Sequence, residues 1–217
     1  MPLALFDLDN TLADRDRIFA SWARETAERH APGAAVAALA TIHDLDGDGL
    51  VPRGDFLTRL RERLAIDEPV ATLLAAYDAT YLGRFRLDEG VAEALDRLRA
   101  AGCRLGVVTN GHASQRRKIA ACGLEQLVDA CVVSDEIGIR KPDPAIFQVA
   151  ADRCGVPLSG AWMVGDRHDA DIGGARAAGI RSVWIRRGRS WPAGLGFAPT
   201  ASARTIAEAA DVILRDG

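Results

Sequence analysis

The chain has 217 residues, 48% hydrophobic and 26% charged, with 27 Lys+Arg against 30 Asp+Glu for a formal net charge of -3. That length allows one large domain or two smaller ones around a sizeable core, which excludes disorder as the main state. A balance this close to neutral supplies no overall basic field, so the expected partners include no nucleic acid and no membrane, and a charged substrate must be handled locally. In chain order, apolar runs of strand length occupy residues 3–6, 105–108, 131–133, 161–164 and 182–185. Such runs suit strands buried on both faces. Helical patterns lie between them. Val91, Leu95 and Leu98 recur at helical spacing ahead of Gly102, and segments 114–122, 144–154 and 169–178 close at Gly123, Gly155 and Gly179. Gly is the favoured residue just past a helix end. Strands alternating with helices of this length imply βαβ units and a parallel sheet, an α/β fold.

From 15 to 87 the alternation stops. Only helical patterns are present, over 18–29, 34–42, 56–64 and 70–81. This predicts a small helical domain inserted after the first strand, at the carboxyl edge of the sheet where open α/β folds bind ligands. Residues 186–199, rich in Gly, Pro and Arg, are predicted as loop, followed by a short helix near 203–209 and an edge strand at Val212-Ile213-Leu214. Asp7 comes too early for a signal-peptide apolar region, and no apolar run approaches the ~18 residues of a membrane span. The four cysteines, Cys103, Cys122, Cys131 and Cys154, form no CxxC pair or Cys/His cluster and read as reduced core thiols of a cytoplasmic protein.

Four segments carry chemistry. The first strand runs into Asp7-Leu8-Asp9-Asn10-Thr11. Alternate residues of an extended chain point the same way, so two carboxylates leave the sheet edge together, and they repel unless a cation or a shared proton intervenes. A polar turn is the other reading of the same pentapeptide. Val107-Val108-Thr109-Asn110-Gly111 ends a buried strand in a hydroxyl and an amide before a helix, which suits an anion, although Asn-Gly is also a turn signal. Arg140-Lys141-Pro142-Asp143-Pro144 sets a lysine just before two prolines that fix the backbone, with Asp143 placed to cap the following helix. Gly165-Asp166 through Asp171 gathers three carboxylates in six residues, a donor set for a hard cation such as Mg²⁺.

In this order, each at or just beyond a predicted strand end, the four segments resemble the motifs of the haloacid dehalogenase superfamily of hydrolases. The helical insertion is similar to the C1 cap of its cap-bearing members. The resemblance implies a Rossmann-like parallel sheet core, residues 1–14 and 88–217, with an inserted α-helical cap domain over 15–87. It further implies a Mg²⁺-dependent phosphatase acting on a small phosphorylated metabolite. Asp7 would be the nucleophile and Asp9 the general acid and base. Thr109, Asn110 and Lys141 would bind the phosphoryl group, and Asp7, Asp9 (through its carbonyl) and Asp166 would hold the metal. Asp171 would orient Lys141 or a water. Haloacid dehalogenases lack an aspartate two residues after the nucleophile, so Asp9 favours phosphoryl transfer. Asn10-Thr11 is more similar to the phosphatases than to the mutases, whose loop reads Asp-Gly. A mutase and a non-catalytic binding protein are the alternatives.

Two further features stand apart. Residues 44–55 match a calcium-binding loop at positions one, three, five, six and eight. They depart from it at the twelfth, where Asp55 replaces the longer Glu, and Pro52 and Gly54 interrupt the exit helix. The reading adopted is a polar turn between two helices. Arg186-Arg187-Gly188-Arg189 is read as a solvated loop. His112 and His168 receive no catalytic role, and Arg15, Arg17, Trp22, Phe56, Tyr77 and Tyr81 are candidate substrate contacts in the cap.

Overall fold

A computed structural model describes residues 2–216, and the chain falls into two compact units: Met1–Asp14 with Arg86–Gly217, and Arg15–Phe85. The first unit is built on six strands: β1 (Leu3–Phe6), β2 (Arg104–Thr109), β3 (Ala130–Val133), β4 (Trp162–Gly165), β5 (Arg181–Ile185) and β6 (Ala201–Ala203). All pairings are parallel, in the order β3-β2-β1-β4-β5-β6. The order reverses beside β1, creating the crevice at which doubly wound sheets take ligands. Every residue of β1 and β4 is buried, which is why both read as unbroken apolar runs. Phe6 pairs with Val107 on one side and Val164 on the other. That register brings the residues just beyond β1, β2 and β4 to one edge of the sheet.

Between β1 and β2 the chain forms the second unit, made of α1 (Arg15–His30), α2 (Ala35–Asp46), α3 (Arg53–Arg63) and α4 (Val70–Tyr81). Its interior is aromatic. Trp22 meets Tyr77 edge-on at 4.9 Å between ring centroids, and Tyr77 stacks on Tyr81 at 4.8 Å. Phe19 contacts Trp22, Phe56 and Tyr81. Trp22, Phe56, Tyr77 and Tyr81, considered above as substrate contacts, are thus buried core residues of the helical unit. Arg15 is buried too, and together with Arg53 it ion-pairs with Asp46. Asp46 is only 2% exposed and also accepts from the Gly49 N–H. The acid at the third position of the calcium-like loop is therefore committed to two guanidinium groups and a peptide, in keeping with a polar turn.

The remaining helices pack on the sheet: α5 (Val91–Ala100), α6 (Ser114–Ala121), α7 (Ser134–Ile137), α8 (Ala145–Cys154), α9 (Gly173–Ala177) and α10 (Ile206–Arg215). Two expectations fail here. Val212-Ile213-Leu214 is not an edge strand but part of α10, whose buried Ile206, Ala209, Ala210 and Ile213 follow the helical i, i+3, i+4, i+7 spacing. The edge strand is instead Ala201–Ala203. Segment 169–178 opens with a π-helical turn, His168–Ile172, before α9. Where the chain leaves and re-enters the sheet unit, the Asp88 N–H donates to Leu12 O at 2.9 Å and the Asp14 N–H to Asp88 Oδ1 at 3.1 Å. Among the described residues, no helix is long and apolar enough to cross a membrane.

Candidate active site

Asp7 stands one residue beyond β1, and its N–H still donates to Val164 O at 2.9 Å, so the backbone is held as if the strand continued. The following turn closes through Leu12 N to Leu8 O at 3.0 Å, with Asn10 in the left-handed region at φ 60°. Asn is among the few side chains that tolerate this conformation. Lys141, reached from β3 through α7, is 3% exposed. Its ammonium donates to Asp7 Oδ1 at 2.7 Å, Asp171 Oδ1 at 2.6 Å and Val108 O at 2.6 Å. Three acceptors use all three of its N–H bonds.

Asn110 fixes that lysine's backbone: its Oδ1 accepts from Lys141 N at 2.8 Å and its Nδ2 donates to Lys141 O at 2.9 Å. The carboxamide expected among the phosphate ligands thus straps two loops together. Asp171 reaches the cluster from the π-helical turn, with Oδ2 accepting from Arg167 N at 2.9 Å. Gly165 makes room for it. A Cβ at that position would lie 2.2 Å from Asp171 Oδ2, so no side chain fits there.

Carboxylate oxygens of Asp7, Asp166 and Asp171 all lie within 4.8 Å of one another. Burial pushes the Asp7 carboxyl up to about 8, against the pull of Lys141 and with Asp171 and Asp166 adding to the rise. Burial and Asp171 push Asp166 up to about 6, opposed by Arg189. Three buried carboxylates facing so little positive charge are under-compensated, the condition that a hard oxygen-seeking cation relieves. The donor set therefore fits Mg²⁺. Asp9 does not point its carboxylate into this cluster. It accepts from Lys118 Nζ at 2.8 and 2.6 Å and from Gln115 Nε2 at 3.0 Å, and the same Gln115 nitrogen donates to Thr109 Oγ1 at 2.6 Å.

The model of the haloacid dehalogenase-like hydrolases matches residues 1–179. The chain belongs to that family. Among haloacid dehalogenase-like hydrolases, it is 32% identical over 192 residues to the glyceraldehyde 3-phosphate phosphatase of Pyrococcus abyssi, covering 85% of this chain and 81% of that one. A protein of the same description from Methanopyrus kandleri is 42% identical over 134 residues, 60% of this chain and 58% of its own length, so the match spans less than two thirds of that relative. The structure of a 2-haloacid dehalogenase from Pseudomonas syringae pv. Tomato DC3000 superposes with TM-score 0.69 at 29% identity, over 100% of both chains.

As a haloacid dehalogenase-like hydrolase, the protein shows contacts that the motifs alone did not indicate. The arginine segment after β5 is not simply solvated. Arg189 Nη2 donates to Asp166 Oδ2 at 2.9 Å and to Asp166 O at 3.0 Å, and Arg187 pairs with Asp14 at 2.6 Å and donates to Asn10 O at 3.2 Å. Gln115 and Lys118, which sequence reading assigned to an ordinary helix, contact Asp9. Their i, i+3 spacing on α6, one turn after the Asn-Gly pair, is the signal that could have found them. His112 pairs with Asp135 at 3.0 Å on the surface.

Proposed function

We propose that the protein is a Mg²⁺-dependent phosphatase of a small phosphorylated metabolite, working through an aspartyl-phosphate on Asp7. The observation that carries this reading is the contact between Lys141 Nζ and Asp7 Oδ1 at 2.7 Å, beside Asp166 and Asp171 at the sheet's switch point. Lys141 takes one Asp7 oxygen, leaving the other to attack phosphorus in line. The Asp7–P bond forms as the ester P–O bond breaks, and the departing alkoxide takes its proton from Asp9. Asp9 then accepts a proton from water as that water attacks phosphorus, and the Asp7–P bond breaks to release inorganic phosphate. Held by Asp7 and Asp166, Mg²⁺ would offset the like charges around the phosphoryl oxygens. Thr109 accepts from Gln115, which leaves its O–H to donate to a phosphoryl oxygen, and Asn110 assists from its main-chain N–H. Asp171 keeps Lys141 aimed at Asp7. Asp9 supports phosphoryl transfer over dehalogenation, because a halide leaves without a proton. The phosphatase descriptions of the two archaeal relatives point the same way.

Hydrolysis of p-nitrophenyl phosphate or acetyl phosphate with Mg²⁺ should be abolished by EDTA and by Asp7→Asn. Asp9→Asn should lose about 100-fold or more in turnover while the fold persists. Parental turnover in Asp7→Asn would overturn the nucleophile assignment. A screen of triose, amino-acid and nucleoside phosphates identifies the substrate class.

A further inference from the structure

Lys118 is 7% exposed and Gln115 3% exposed, on the same face of α6. Taking an ammonium out of water is unfavourable unless it is paired, and here the ammonium is held against both oxygens of one carboxylate, Asp9. Gln115 offers two N–H bonds from one nitrogen, and these go to Asp9 Oδ2 and Thr109 Oγ1. The side chain is itself confined: a Cβ on Gly111, whose φ is +149°, would lie 2.7 Å from Gln115 Cγ, so the glycine admits the glutamine.

We infer that Gln115 and Lys118 are positioning residues that set the Asp9 carboxylate at a fixed place relative to Thr109. This rests on Asp9 being the acid and base of the proposed phosphatase. An acid/base group standing on a turn with a left-handed Asn10 needs an external hold, because misplacement by about 1 Å can cost about 100-fold in rate. Lys118 supplies a charged hold on both oxygens and Gln115 supplies the registration to Thr109.

The test is a double-mutant cycle on the full chain with p-nitrophenyl phosphate and an alkyl phosphate. Lys118→Met should lower kcat about 100-fold with KM nearly unchanged. Lys118→Arg should restore much of the loss, and Gln115→Leu should lose a smaller factor. Lys118→Met placed on Asp9→Asn should add nothing, because the lysine acts through the aspartate. The Mg²⁺ concentration that half-saturates the rise in melting temperature should be the same in Lys118→Met as in the parent. Losses that multiply in the double variant, or parental kcat in a folded Lys118→Met, would overturn the inference. If Lys118→Met does not fold, parental kcat in Gln115→Leu does the same. Parental turnover in Asp9→Asn would instead overturn the acid/base reading on which the inference stands.

Discussion

Lys141 illustrates how much one buried side chain can organise. Burial alone would lower its pKa, but Asp171 and Asp7 outweigh that and hold it above the ordinary lysine value. Asp7 and Asp166 are raised too, chiefly by burial, but for a carboxyl group a raised pKa favours the neutral form. Between the ordinary 3.8 and about 8, the native protein keeps a proton on Asp7 that the unfolded chain gives up, so the native state binds more protons. Its stability therefore falls as pH rises through that interval, and Asp166 contributes in the same sense up to about 6. In EDTA, the melting temperature should decline from pH 5 to pH 8, and Asp7→Asn should flatten the decline. Added Mg²⁺ should stabilise most at the alkaline end, where the ionised carboxylates bind it best. Scanning fluorimetry across that range checks both, and a melting temperature that climbs with pH in EDTA would contradict the first. Asp7, Asp166 and Asp171 were legible in the sequence because their motif spacing reflects strand ends. Arg187 and Arg189 were not, because their contacts depend on the path of a loop without periodicity.

Among the elements, those with a single buried face or two buried faces were the easiest to read. β1, β2, β4 and β5 are apolar runs because helices cover both sides of the sheet, and α1 to α4 show the spacing of helices around one shared interior. β6 escaped notice because Ala-Ser-Ala has neither bulk nor β-branching. Its neighbour α10 was split into helix and strand because three consecutive apolar residues fit either period. The calcium-like loop shows how a motif can be satisfied by different chemistry. Asp46 joins α2 to Arg15 of α1 and Arg53 of α3, so its carboxylate ties three helices together. Asp46→Asn should destabilise the protein by about 3–5 kcal/mol, measured by urea unfolding, because it removes the buried carboxylate that the buried Arg15 and the partly buried Arg53 share. Titration of the parent with millimolar Ca²⁺ should release no heat attributable to this loop.

At the scale of the whole molecule, the average net charge of -3 conceals a carboxylate cluster whose compensation comes from Lys141, Arg189 and, on the proposed reading, a cation outside the sequence. The division into two units also bears on folding. Replacing Arg15–Phe85 by a short Gly-rich linker should leave a sheet unit that melts cooperatively, with the Asp7, Asp166 and Asp171 cluster still raising its melting temperature with Mg²⁺. A non-cooperative melt would show that the sheet needs the helical unit to fold. The hydrogen bonds from Asp14 and Asp88 clasp the exit and re-entry of the chain within the sheet unit itself. Closing a loop between clasped ends costs only about 0.6 kcal/mol for each doubling of its length. The sheet is thus nearly indifferent to what is carried between those residues. An architecture with such a docking point can exchange one insertion for a larger or smaller one, and alter what it recognises, without rebuilding the strands that carry its chemistry.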